Sequence, residues 1–561
     1  MSATEGVHQI SERYVRDLAA LDPNTATYLG VPGHDDKLTD YSPEGHGARA
    51  ELARTALRDL RAATAADADE QAAKDVFLER VGLTVERHEA GLDVSELNVI
   101  ASPVHELRQT FDLMPSDTAQ DWAVISARLG GMPVALEQVR AALSHSAAHG
   151  RTSALRQVRR VAEQCETWAG RRGGESFFST MIAAADQVQG VSAALTGELR
   201  AHAESASAAY ADFGRFLREE LAPSAPEKDA VGLEVYQLSS RFFTGAELDL
   251  QEAYDWGWEE FSRIEAEMKQ VAGRIRPGAT LAEAAAALDA DPRYRVHGQD
   301  AFQHWMQELS DRALTELRGV HFEIPDRLMK LECRIAPPGG TVGAYYTGPT
   351  DDFSRPGRMW WSVPADKEDF STWREVSTVY HEGVPGHHLQ IATAVAEAER
   401  LNRFQRLLCW VSGHGEGWAL YAERLMRELG YLDDDGNLLG MLDAHLFRAA
   451  RVIVDIGMHL ELPIPAGSGF HPGERWTPEL GLEFLLTRTI TDATHVRDEI
   501  DRYLGWPGQA PSYKLGERLW LQARDEAKQR EGANFDLKHF HERALKMGAM
   551  GLDLLRTRLG A

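Results

Sequence analysis

Over most of this chain apolar residues return every three and four positions, and that spacing restricts the fold more than any other feature. Segments such as ISERYVRDLAAL and ALRQVRRVAEQCETWAG put their apolar side chains along one face of a 3.6-residue helix. Alanine is abundant and β-branched runs are few, so residues 7–222 read as helices. The stretch Pro223-Ser224-Ala225-Pro226-Glu227-Lys228-Asp229 is the best linker, and helical patterning resumes at AELDLQEAYDWGWEEFSRIEAEMKQVAGRI. The texture changes over residues 330–365, where CRIAPPGGTVGAYYTGPTDDFSRPGRMWWSVP is rich in Gly, Pro and aromatics. Two short strands are predicted there, near 341–346 and 358–363. Helices return near Trp373 and continue to the end. The expected division is an N-terminal helical lobe, 1–222, and a catalytic lobe, 232–561, forming one compact unit around a channel.

Composition excludes several classes. Of 561 residues, 43% are hydrophobic, enough for a large core, so disorder is not expected. A formal charge of −26 argues against a general nucleic-acid or anionic-membrane binder. Cys165, Cys333 and Cys409 are far apart and odd in number, which supports neither a disulfide framework nor a thiolate metal site. The N-terminal MSATEGVHQISERYVRDL lacks the marks of a signal peptide, and no apolar run reaches the ~20 residues needed to span a bilayer. A cytoplasmic location is the expectation; the oligomeric state is not legible.

The most informative motif is Tyr380-His381-Glu382-Gly383-Val384-Pro385-Gly386-His387-His388-Leu389-Gln390. A zinc hydrolase needs two neutral imidazoles, a third protein ligand, an open position for water and a carboxylate to take that water's proton. In the familiar HExxH helix the two histidines share a face one turn apart. Here His381 and His387 are six residues apart, roughly 240° around a regular helix. Pro385 would clash with the carbonyl four residues back, and Gly383 and Gly386 allow unusual backbone angles. A helical bulge carrying two extra residues would restore His387 to the second ligand's place, with Glu382 as the base. His388 is the alternative ligand, on the face of His381 but two turns away.

A third ligand is expected from a following helix, and Gly413-His414-Gly415-Glu416-Gly417-Trp418-Ala419-Leu420-Tyr421-Ala422-Glu423 offers Glu416. The gap from His387 fits one helix, IATAVAEAERLNRFQRLLCWV, and a short return. Glu423, seven residues on, is placed to support a ligand histidine. Each of these residues could be structural alone; their combination points to one bound zinc per chain.

HEGVPGHHLQ followed by EGWALYAE resembles the bacterial group known as domain of unknown function 885. LDPNTATYLG, GAYYTGPT, RVIVDIGMH and YLGWPGQAPSYKLG extend the resemblance over nearly the whole chain. The motif layout is in turn similar to gluzincin metallopeptidases of the thimet-oligopeptidase, angiotensin-converting-enzyme and Taq-carboxypeptidase groups. That likeness implies a mainly α, large two-lobed helical fold with a small β-sheet beside the zinc-binding helix.

Supporting roles are read from three further places. Arg451, Asp455 and His459 stand four apart on one helical face, either as an ion-pair ladder or with Asp455 orienting His459 toward a reacting carbonyl or a ligand carboxylate. Tyr345 and Tyr346 could donate to an oxyanion or lie in the core. Arg502, Tyr503, Tyr513 and Lys514 offer cations and phenols for a substrate carboxylate, or form a surface turn. The leading expectation is a zinc peptidase acting on short peptides. The alternatives are a zinc hydrolase of a non-peptide amide, ester or ring, and a metal-stabilised binding protein without catalysis.

Overall fold

Capping chemistry sets the helix boundaries of the N-terminal part. Asp22 accepts a hydrogen bond from the Thr25 amide at 3.0 Å. With Pro23 in the first turn and Gly30 at φ 71°, LDPNTATYLG closes into the helix Pro23–Leu29. Ser42, Asp67, Thr118 and Ser192 cap four longer helices in the same way. The computed structural model describes residues 5–336, 343–364 and 366–560.

Contacts divide the chain into Met1–Val231 with Asp498–Trp506, and Gly232–Arg497 with Pro507–Ala561. The first boundary falls just after the expected linker. The second corrects the sequence reading: residues 498–506, assigned there to the catalytic lobe, belong with the N-terminal unit. The Asp501 carbonyl accepts from Gln157 at 2.7 Å and its carboxylate pairs with Arg160 at 2.9 Å.

The N-terminal unit is helical around Trp122, Leu129, Val158, Phe178, Tyr210 and Phe213. Buried Arg128 is tolerated because its guanidinium donates to the Lys37 carbonyl at 2.8 Å, the Thr110 hydroxyl at 3.0 Å and the Pro23 carbonyl at 3.2 Å.

The C-terminal unit carries two small sheets. Strands β1 (Arg295–His297) and β5 (Asp369–Ser371) pair antiparallel. Strands β2 (Leu331–Ile335), β3 (Gly343–Thr347) and β4 (Gly357–Ser362) form a sheet of order β2-β4-β3, with β2 parallel and β3 antiparallel to β4. Two of these five strands match the expectation, although its residues 341 and 342 lie outside the described part. Strand β5 leads directly into the helix Thr372–Glu382. Asp289 ties down that junction, accepting from Ser371 at 2.8 Å and from the Trp373 indole at 2.9 Å.

The long helices of this unit approach closely at glycines. Ser412–Glu428 and Ser512–Glu531 cross where a Cβ on Gly417 would lie 2.5 Å from backbone of Gly516, and a Cβ on Gly516 would lie 2.1 Å from the Gly413 carbonyl. The glycines of GHGEGW therefore set the depth at which the Glu416 helix sits.

Candidate metal centre

The helix Thr372–Glu382 ends one residue after His381, and a new helix, His387–Ala396, starts at His387. The expected bulge within one helix is instead a four-residue non-helical link, with a cis Val384–Pro385 bond. The Gly386 amide reaches back to the Tyr380 carbonyl at 3.0 Å, and the Trp418 indole donates to the Pro385 carbonyl at 2.9 Å. Gly386 cannot carry a side chain here, since a Cβ would sit 1.9 Å from the His381 carbonyl oxygen. The link thus packs against the preceding turn and brings the second histidine beside the first.

His381 Nε2 lies 3.1 Å from Glu416 Oε2, and His387 Nε2 lies 3.4 Å from the same oxygen. The imidazole planes are perpendicular, with centroids 4.9 Å apart. Glu382 belongs to the same group: one donor atom from each of His381, Glu382 and His387 falls within a 4.8 Å cluster. Around a tetrahedral zinc with bonds of about 2.0–2.1 Å, ligand atoms stand roughly 3.4 Å apart. The two distances from the histidines to Glu416 Oε2 are thus close to the spacing of ligand atoms on one shared ion.

Hydrogen bonding fixes the histidine's orientation. His381 Nδ1 donates to Glu423 Oε1 at 2.8 Å, since a carboxylate can only accept. Nε2 of a neutral ring then presents a lone pair toward Glu416, an arrangement that calls for a cation or proton between them. Burial opposes charge on His381, but the bonds to Glu416 and Glu423 outweigh it and push its pKa up to about 9. Glu416 is held well below the carboxylate range: burial opposes this, and the two histidines prevail. Burial raises the pKa of Glu382, against the pull of His387 and His381.

His388 is not placed as a ligand. Its Nε2 donates to the Leu328 carbonyl at 2.8 Å and its Nδ1 accepts from the Tyr346 hydroxyl at 3.0 Å. That bond also gives Tyr346 a structural partner. Tyr345 is 39% exposed and stacks on Trp360, its register partner across the sheet. The intervening segment differs from the expected single helix: His387–Ala396 stops early, and a π-helical turn, Phe404–Leu408, precedes the Glu416 helix.

Other expected site residues have partners outside the histidine–glutamate cluster. Asp455 accepts from the Tyr236 hydroxyl at 2.6 Å and the Gly508 amide at 2.9 Å, and the His459 ring packs against Tyr236. These form a second buried polar group. Arg451 lies over the rings of Phe447 and Tyr513. The proposed carboxylate grip is overturned as a unit. Arg502 and Tyr503 both bind Glu499, within the N-terminal unit. Lys514 is fully buried, pairing with Glu517 at 2.5 Å and Glu260 at 3.1 Å and donating to His445 Nδ1 at 3.0 Å.

The sequence reading missed two neighbours of the cluster. His445 Nε2 lies 3.5 Å from Glu423 Oε2, so Glu423 links His381 to the buried Lys514 group. Trp410, 50% exposed, has its ring 6.0 Å from that of His387. Neither carries a local motif; only folding brings them to the histidines.

These features define a mainly helical protein with a small mixed sheet beside a buried histidine–glutamate cluster. The chain belongs to the family described as "Bacterial protein of unknown function (DUF885)", whose model matches residues 23–559. Two solved structures share the fold. One, described as a "putative lipoprotein" from Colwellia psychrerythraea, is 22% identical with a TM-score of 0.84, over 99% of this chain and 98% of that one. The other, a "putative lipoprotein of unknown function" from Shewanella oneidensis, is 17% identical with a TM-score of 0.74, over 99% of each chain. A search of curated proteins finds no match. Among the described residues no helix is long and apolar enough to cross a membrane.

Proposed function

We propose that this protein is a zinc-dependent hydrolase of the gluzincin type, acting on short peptides. The convergence of His381 Nε2, His387 Nε2 and Glu416 Oε2 carries the reading. These three residues would hold the ion, and Glu423 would keep His381 in the ligating tautomer. A bound zinc supplies Lewis-acid polarisation of the scissile carbonyl and acidifies water. Glu382 accepts the water's proton and passes it to the leaving amine. Its raised pKa brings it closer to neutrality, where a carboxyl both takes and returns a proton.

A second reading has an observation of its own. Glu382 lies in the same tight group as the two histidines and could ligate, closing the site as a structural centre. One experiment separates the two. Purified protein is assayed for zinc and screened against short peptides with and without chelator, as wild type and as Glu382→Gln. The hydrolase reading expects about one zinc per chain and chelator-sensitive cleavage. It also expects the variant to keep its zinc while losing ~10²–10⁴-fold in rate. A variant that loses zinc supports the structural centre; one that cleaves at the wild-type rate removes Glu382 from the chemistry.

A further inference from the structure

Arg448 is the cation near the histidine–glutamate cluster that the proposed chemistry leaves unused. It lies on the helix Asp435–Leu460, three residues after His445, whose ring faces Glu423. Residues three apart share a helical face, so Arg448 rises from the face turned toward the cluster. Its Nη1 donates to the Ala444 carbonyl at 3.1 Å, laying the side chain back along the helix toward His445. Its Nε is buried without a hydrogen-bond partner. Among the described residues its guanidinium forms no ion pair, whereas nearby Arg374, Arg424 and Arg427 all meet carboxylates. Three carboxyl groups lie within reach of its charge, which favours the ionised forms of Glu382, Glu423 and Asp443.

A half-buried guanidinium with unused donors is costly to maintain unless something fills them. Its planar fork matches a carboxylate or a phosphate. The surroundings choose between these. Repulsion from the neighbouring carboxylates weighs about twice as heavily on a dianionic phosphate as on a singly charged carboxylate, so the carboxylate is the better match for one guanidinium.

We propose that Arg448 receives the free carboxylate of a short peptide substrate, placing the cleaved bond near the C-terminus. The proposal deepens the hydrolase reading and rests on it. It replaces Lys514 and Arg502, whose charges are already neutralised inside the fold.

The test uses equilibrium binding to protein stripped of metal, so that no ion can attract the carboxylate. The probes are N-acetyl-phenylalanine as the free acid and as the C-terminal amide, followed by ligand-observed NMR. Wild type should bind the acid roughly tenfold or more tightly than the amide. Arg448→Gln should lose that preference, and Arg448→Lys should keep part of it, with unchanged melting temperatures confirming the fold. Equal binding of acid and amide by wild type overturns the proposal without any variant, as does a preference that survives in Arg448→Gln. The two readings can fail separately. A chain that binds no zinc yet prefers the acid sinks the hydrolase and the cleavage position with it, and leaves Arg448 a carboxylate-binding residue only. A zinc enzyme that cleaves free and amidated peptides alike, with no acid preference in binding, sinks only the role of Arg448.

Discussion

In the proposed site Glu423 would take no part in bond making, yet its hydrogen bond sets which nitrogen of His381 is left to face Glu416. Its Oε1 accepts a hydrogen bond from Nδ1–H at 2.8 Å, which leaves Nε2 facing Glu416. Removing such an orienting carboxylate typically costs ~10–100-fold in metal affinity. Glu423→Ala should therefore weaken zinc binding by that range, measured by competition with a chromogenic chelator. Glu423→Gln should be milder, because an amide oxygen still accepts from Nδ1. An alanine variant with wild-type affinity would show that His381 needs no orienting partner. The same reasoning explains why His387 and His388 separate in the structure although adjacent in sequence. Both nitrogens of His388 are engaged, by Leu328 and Tyr346, whereas His387 Nε2 faces Glu416. Sequence spacing chose between them by helix geometry alone, and it had no means of seeing the hydrogen bonds that make the choice.

The link between the two histidine helices is the element on which the site depends. Gly386 packs its Cα against the carbonyls of Tyr380 and His381, where a Cβ would approach to 2.5 and 1.9 Å. Both obstacles are backbone oxygens of the helix that carries His381, so neither can rotate away. Gly386→Ala should cost on the order of 2–3 kcal/mol and displace His387, seen as a lower denaturant midpoint together with loss of zinc. A variant matching wild type in both would mean that the link rearranges freely. The need for a helix break was legible from Pro385 and the two glycines, but its form was not: a bulge and a full interruption require the same residues. Long amphipathic helices were legible for a similar reason, because one buried stripe repeats over many turns. Strand β2 was not, since LECRI alternates for only five residues and its neighbour β4 lies over twenty positions away. The grip expected from Arg502, Tyr503, Tyr513 and Lys514 was misread because the sequence does not show which of these side chains the fold already pairs. Arg502 and Tyr503 join the N-terminal unit, and Tyr513 and Lys514 begin the helix that crosses Glu416's own.

At the scale of the molecule, the ion cluster around Lys514 joins four long helices of the C-terminal unit. Glu260 comes from Leu250–Ile275, Arg424 from Ser412–Glu428, His445 from Asp435–Leu460, and Lys514 and Glu517 from Ser512–Glu531. Burial raises the pKa of both glutamates. Hydrogen bonding to Arg263 and the charge of Lys514 nevertheless hold Glu260 down to about 2, and Lys514 and Arg424 do the same for Glu517. In the unfolded chain a glutamate titrates near 4.3, so between about 2 and 4.3 the unfolded state binds more protons. The stabilisation is thus fully present above about pH 4.3 and is lost as pH falls through about 2. Two shifts of this size represent a few kcal/mol each. A formal charge of −26 acts in the opposite direction, because protonating surface carboxylates relieves self-repulsion over the same range. The cluster is therefore best read as a difference between proteins that share that surface. Lys514→Met leaves two buried carboxylates short of a cation and should destabilise by ~3–5 kcal/mol at neutral pH. The gap between variant and wild type should narrow steadily as thermal melts are taken from about pH 5 toward pH 2, because the glutamates of the variant then take up the protons they lack partners for. If the two proteins melt together at neutral pH, Lys514 does not hold these helices. If a large gap stays constant with pH, the lost stability comes from packing of the lysine stem and not from its charge.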